Sequence, residues 1–273
     1  MTAQMTIGAI RPRGPGLAQG AATQARVIGA LVLRETQTRF GTAKLGFLWA
    51  IIEPFCHILA FSQVAKMIHH SAPLGSSVEV FFATGIVPFF LFRDLAFHLS
   101  PSLSANRSLL YFPLVKNMDV LAARALLEIA TWAMVAVLAA ATFACFGLEL
   151  GISDPLNLML AWGAMGLLGT GFGVTSAIIT MFAHSWDRLV HMFVRILYVT
   201  SGVYFLPNHL PEAARDFIWW FPTFHGVEWF REAFFSGYHS MSLNKPYLLA
   251  WGVGLLLVGM LGERLLRKRM EHE

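Results

Sequence analysis

The feature that most limits what this chain can become is a series of apolar windows, each close to the length of a membrane-crossing helix. They fall at about 46–67, 78–99, 120–147, 156–182, 188–206 and 246–264 in a chain of 273 residues. A helix covers the hydrocarbon core, roughly 30 Å thick, in about 20 residues. Hydrocarbon offers no partner to an open backbone, so windows of this kind must be helical. Composition agrees: 56% of residues are hydrophobic and 13% are charged, about half the charged share of a soluble domain. Mean hydropathy is +0.59. The expected fold is an all-α polytopic membrane protein with six transmembrane helices. A net charge of +4 is too small to argue for a nucleic-acid partner. Cys56 and Cys145 sit in apolar runs and are expected as buried free thiols, with neither a disulfide framework nor a metal site.

Residues 1–24 are rich in Gly, Ala and Pro, with RPRGPG at 11–16, and read as a disordered cytoplasmic tail ahead of one transmembrane domain over 25–273. They lack the apolar core of a cleavable signal, so the first span is expected to do the targeting. From Ala25 the pattern turns amphipathic: Val27, Ile28, Leu31 and Val32 form a stripe, followed by Arg34, Glu35, Thr38 and Arg39. Glu35 and Arg39 have the acid-first i,i+4 spacing that supports a helix. A helix lying in the headgroup region before the first span fits, and an ordinary solvated helix is the alternative. Arg and Lys gather before the first span, in the second-to-third and fourth-to-fifth connections, and in the C-terminal tail. The connections at 71–77 and 149–154 contain neither. The positive-inside rule therefore puts both termini in the cytoplasm. The long connection from Pro207 to Lys245 mixes aromatic runs with Glu212, Arg215, Asp216, Glu228, Arg231 and Glu232, broken at Pro222 and Gly226. Two short re-entrant helices satisfy that pattern if protein covers the break.

The sequence contains no G-x-x-x-x-G-K-[ST], H-E-x-x-H or G-x-S-x-G, so no motif for ATP, zinc hydrolysis or a serine nucleophile is present and no catalytic residue is assigned. Gly169, Gly171 and Gly173 look like part of a dinucleotide fingerprint but have no preceding strand, and read instead as close helix packing. Polar residues within the spans carry more information: Glu53 and His57, Arg93 and Asp94 with His98, Arg124 and Glu128, His191 and Arg195. A charge at mid-bilayer costs about 2.5–3.5 kcal/mol on insertion scales, so these groups should face protein or a watery path. Arg93 and Arg195 are expected beside that path. Phe82, Phe89, Phe92 and Phe97, with Tyr198, Tyr204 and Phe205, offer apolar yet polarised faces on which a sugar ring could slide. Packing is the alternative for most of them.

Three runs then point to a family. Arg34-Glu35-x-x-Thr38-Arg39-Phe40-Gly41 leads to Leu45-Gly46-Phe47-Leu48-Trp49 and Glu53-Pro54; Asn106-Arg107-x-Leu109-Leu110 leads to Phe112-Pro113-x-Val115-Lys116, Asp119 and Ala123-Arg124; Pro222-x-x-His225-Gly226-x-Glu228-x-x-Arg231 follows. Together they resemble the membrane subunit of ABC-2 type capsular polysaccharide exporters over nearly all of the chain after Ala25. The resemblance implies a half-transporter that pairs with a second copy of itself and with two copies of a separate ATPase. That ATPase would hold ATP and Mg, so this chain would bind no cofactor or metal. It further implies ATPase contacts at Arg34, Glu35, Arg39, Asn106, Arg107 and Lys116, and a periplasmic gate at Trp219, Trp220, His225, Glu228 and Arg231. The substrate path would include Glu53, His57, Phe89, Arg93, Arg195, Tyr198 and Tyr204. The implied cargo is a long, lipid-linked, usually anionic glycan, moved across a bacterial inner membrane and handed to periplasmic and outer-membrane export proteins. O-antigen and teichoic-acid permeases share the fold and stay open. An intramembrane enzyme on lipid-linked sugars would need its acid and base groups gathered, and here they are scattered over different spans.

Overall fold

The computed structural model describes residues 17–40, 44–68, 72–110 and 114–270, with the side chains at 17–19, 39–40, 44–47, 110 and 268–270 outside that description. The described residues form eleven helices: α1 (Leu17–Phe40), α2 (Lys44–Ile68), α3 (Val78–Leu99), α4 (Ser102–Ala105), α5 (Arg107–Leu110), α6 (Asn117–Cys145), α7 (Pro155–Phe182), α8 (Ser185–Thr200), α9 (Glu212–Trp219), α10 (Pro222–Phe234) and α11 (Lys245–Met270), with a 3₁₀ turn at Pro207–His209. Five of them, α2, α3, α6, α7 and α11, are long and apolar enough to cross a membrane.

Helix α3 is the hub. Its sequence is apolar on every side, the pattern of a helix surrounded by others, and α2, α6, α7, α8 and α10 all pack on it. Ser77 caps its start by accepting the Val80 N–H at 3.4 Å. Helix α7 is the second inner element and starts sharply at Asp154, which accepts the Asn157 backbone N–H at 3.0 Å and its side-chain amide at 2.7 Å. Those bonds hold the Asp154 carboxyl below the usual carboxylate range.

The glycines of α7 let its neighbours come close. A Cβ on Gly173 would lie 2.7 Å from Leu99 Cβ and 2.8 Å from the Leu95 carbonyl of α3, whereas one on Gly171 would lie 2.6 Å from the Gly252 carbonyl of α11. Thr175 Oγ1 then reaches across to donate to the Leu255 carbonyl at 2.7 Å. Small residues on two faces of one helix thus seat it between α3 and α11, as the Gly169–Gly173 run implies.

Three expectations change. Helix α1 begins at Leu17 rather than Ala25, because LAQGAATQ is rich in good helix formers and Gln24 already reaches Asp119 of α6; residues 1–16 lie outside the description. The apolar stripe of α1 turns mainly toward α6. Cys56 and Cys145 are exposed rather than buried, since they sit on outward faces of α2 and α6. The window at 188–206 is not met by one long helix. Helix α8 has 16 residues, about 24 Å at 1.5 Å per residue, and the chain then turns at Gly202, whose φ of +78° is left-handed and suits glycine.

Substituting Gly173→Leu is expected to destabilise the bundle by about 3 kcal/mol through overpacking against α3. Gly163→Leu, where nothing lies within 4 Å of an added Cβ, should leave stability unchanged; thermal unfolding in detergent, followed by fluorescence-detected size exclusion, compares the two.

Candidate functional site

A polar cluster sits where α2, α3, α6 and α8 meet. Arg93 of α3 is at its centre: Nη1 donates to Glu53 Oε1 on α2 at 2.6 Å, and Nε donates to Asp94 Oδ1 at 2.6 Å. Its guanidinium carbon lies 3.7 Å from the centre of the Phe90 ring. Trp132 of α6 donates its indole N–H to Asp94 Oδ2 at 3.0 Å, so both Asp94 oxygens are engaged. Two carboxylates and an aromatic face together satisfy one guanidinium, which is what a low-dielectric setting demands.

Beside this cluster is a cavity of about 180 Å³ lined by His57, Phe89, Phe90, Arg93, Phe97, Val194, Arg195 and Tyr198. His57 Nδ1 is 3.3 Å from the Tyr198 hydroxyl. Tyr198 lies 5.1 Å from Tyr204, and Phe61 packs edge-on against Tyr204 at 4.7 Å. Helix α8 presents Val190, Val194 and Leu197 inward; its outer side carries Met192, Phe193, Ile196 and Val199. Arg195 is exposed among these apolar neighbours, and no ion-pair partner faces it among the described residues.

The structure thus brings together Glu53, His57, Phe89, Arg93, Arg195, Tyr198 and Tyr204, but not in equal roles. Arg93 has its charge matched by two carboxylates, whereas Arg195 does not. Phe89 is fully buried and forms part of the cavity wall. Of the cluster members, Trp132 was not expected at the site, and Asp94 was expected only as a polar residue beside Arg93 facing protein or a watery path. Their signal was a shared four-residue spacing: Phe90, Asp94 and His98 on α3, and Arg124, Glu128 and Trp132 on α6. Asp94, His98 and Glu128 also bring ligand-type atoms within 4.8 Å of one another. Arg93 and Arg124 already supply the positive charge there, so no metal is assigned to them.

Of the residues expected at a periplasmic gate, His225, Glu228 and Arg231 are fully buried in a second polar network. Arg231 of α10 donates from Nη1 to the carbonyls of Gly202 at 2.6 Å and Phe205 at 3.1 Å, and from Nη2 to that of Val203 at 2.9 Å. Its Nη1 is 3.3 Å from Glu228 Oε1, and the Tyr238 hydroxyl donates to Glu228 Oε2 at 2.6 Å. Burial and the neighbouring carboxylate push the Tyr238 phenol up. Arg231 therefore closes the broken end of α8 by taking the carbonyls that no helix satisfies. His225 accepts the Asn244 backbone N–H at Nδ1 (3.2 Å), which leaves Nε2 to carry the proton and donate to the Trp219 carbonyl at 2.8 Å. Trp219 is half-buried and Trp220 is exposed.

The residues expected against an ATPase cluster on one side. Arg34 Nη1 donates to Asn106 Oδ1 at 3.1 Å, and Glu35 pairs with Arg124. Asn106 is buried, Arg107 is half-buried, and Lys116 is exposed beside Leu114. The Arg39 side chain lies outside the described residues. Within this chain, then, Arg34 and Glu35 hold α1 to α4 and α6.

Taken together, fold and site define a helical membrane protein with a polar core between its spans and no nucleotide-binding motif of its own, the layout of a transporter's membrane subunit. The chain belongs to the ABC-2 type transporter family, whose pattern it matches over residues 26–235. It is similar to the polysialic acid transport protein KpsM of Escherichia coli, 31% identical over 241 residues that cover 88% of this chain and 93% of the relative. It is likewise similar to the capsule polysaccharide export inner-membrane protein CtrC of Neisseria meningitidis, 30% identical over 237 residues (87% and 89%). The capsule polysaccharide export inner-membrane protein BexB of Haemophilus influenzae is 29% identical over 259 residues (93% and 96%).

Replacing Arg93 by Gln leaves Glu53 and Asp94 facing each other uncompensated, an expected loss of about 3–5 kcal/mol. Adding Glu53→Gln should recover part of it, an interaction that a double-mutant cycle on thermal stability reads directly.

Proposed function

We propose that this chain is the membrane subunit of an ATP-driven exporter that moves a lipid-linked, anionic capsular polysaccharide from the cytoplasm to the periplasm. The observation that carries the reading is similarity along nearly the whole chain to proteins named for polysialic acid transport and capsule polysaccharide export. The chain would work as a pair of identical copies on a separate ATPase dimer that holds ATP and Mg, and would itself be non-catalytic. It would lie in a bacterial inner membrane with both termini in the cytoplasm and would hand the polymer to periplasmic and outer-membrane export proteins. Helix α8 and the turn after it would make the remaining crossing of a six-span arrangement, and α9 and α10 would be the re-entrant pair.

Arg195 is the group we assign to the substrate's charge. It is exposed on a face otherwise suited to lipid, and so large a desolvation cost is avoided only beside water or an anion. Tyr198 and His57 next to it supply polar edges and aromatic faces for transient contact. A long polymer needs weak, repeated contacts rather than one tight site. The described residues of the cytoplasmic connection, 106–110 and 114–116, and the exposed side of α1 offer the surface for an ATPase.

In a strain depending on this chain, Arg195→Gln is expected to lower surface glycan several-fold without changing the amount of folded protein, because Arg195 is exposed and no ion-pair partner faces it among the described residues. Undiminished glycan would remove the electrostatic role. Co-purification of a P-loop ATPase whose turnover requires this chain tests the subunit assignment; transport by the isolated chain would refute it.

A further inference from the structure

The polar cluster does not end at Asp94. Phe90, Asp94 and His98 recur every fourth residue on α3, as do Arg124, Glu128 and Trp132 on α6. That spacing puts each set in one row along its helix, and the two rows meet in antiparallel order. Trp132 meets the edge of Phe90 with ring centres 5.7 Å apart and donates to Asp94. His98 Nδ1 lies 3.1 Å from Glu128 Oε1, and Arg124 Nη1 donates to the His98 carbonyl at 3.2 Å. The other terminal nitrogen of Arg124 pairs with Glu35 on α1. Polar contacts thus run from Glu35 on α1 through Arg124 to His98 and Glu128, and from Trp132 through Asp94 and Arg93 to Glu53 on α2; the two stretches adjoin where Asp94, His98 and Glu128 bring side-chain atoms within 4.8 Å of one another. The contact of Asn117 with Glu263 at 3.1 Å, by contrast, joins α6 to α11 and includes no member of this row.

The geometry points to Arg124 as a positioning residue that ties α1 to the polar core, so that displacement of α1 is delivered to α2 and α3 at the cavity. This role rests on the export reading above. Arg124 does not line the cavity and acts only through its partners. Glu128 is 1% exposed and Asp94 8%, so little solvent screens the row, and moving one member leaves another unmatched. Such a network shifts between discrete arrangements instead of stretching. Contiguity alone does not demonstrate coupling; a cycle of substitutions does.

The test uses the whole complex of this chain with its ATPase and reads glycan exported per ATP hydrolysed for Glu35→Gln, Arg124→Gln and the double variant. Asn117→Ala serves as a buried polar contact outside the row. Each single variant is expected to lower the ratio about tenfold while hydrolysis persists, in the usual range of coupling energies. The double variant should be no worse than either single, because both break the same link. An unchanged ratio, additive losses, or a loss that merely follows the amount of folded complex, as in Asn117→Ala, would overturn the role. Export by the wild-type complex is measured first: its absence sinks the export reading, whereas normal wild-type export with unaffected variants sinks only the coupling.

Discussion

Hydrocarbon supplies no hydrogen bonds, and the fold depends on how the chain meets that constraint at the end of α8. The helix stops at Thr200, and the carbonyls of Gly202, Val203 and Phe205 would be left open in a medium where each unsatisfied group costs several kcal/mol. One guanidinium takes all three. Glu228 balances its charge, Tyr238 fixes Glu228, and the Phe81 ring lies 4.2 Å from the guanidinium carbon. A Cβ at position 85 would come within 3.0 Å of Arg231 Nη2 and 3.1 Å of Val203 Cα, so Gly85 belongs to the same device. Residues from α3, α8, α10 and the following loop are therefore a single solution to one backbone break. The region behind α9 and α10 is fixed by polar contacts rather than by apolar packing alone.

The Arg93 cluster answers the same constraint for side chains. Its members cannot be hydrated as they would be at a protein surface, so each charge is set against another or against an aromatic face. Both devices hang on α3, one from Phe81 and Gly85, the other from Phe90 to His98. This explains why α3 is the most enclosed of the candidate spans. A helix that carries partners on every side has no face left for lipid, and its sequence must be apolar between the polar anchors.

Much of this was legible in the sequence, and the limits have physical causes. Transfer energies summed over twenty residues make a span visible even when individual residues mislead, so five windows have long apolar helices as counterparts. The α7 glycines were readable as packing because no strand precedes them. The end of α8 was hidden because the partners of Arg231 are main-chain carbonyls, which leave no side-chain signature. Gly202 was the only local hint of a turn there. The α3–α6 row was half visible: each four-residue spacing is plain, but the register that faces His98 to Glu128 is set by tertiary packing. Cys56 and Cys145 show a further limit, since an apolar run says that a residue is out of water, not that protein covers it.

The charges also sort the roles of the two arginines near the cavity. Along the row Arg93 faces Glu53 and Asp94, and Arg124 faces Glu35, so both of its arginines are already set against carboxylates. The row therefore offers a passing polyanion no positive charge that a carboxylate does not already face. Arg195 lies across the cavity on a different helix, outside that balance. The arrangement therefore separates two functions that a single arginine could not serve: Arg93 is committed to holding α2 and α3 together, and Arg195 is left available. Moving positive charge from α8 to α3 would not be a neutral exchange, because on α3 the carboxylates would absorb it. On the export reading proposed above, a cation with no carboxylate facing it, beside an arginine that already has two, would attract a charged polymer without trapping it.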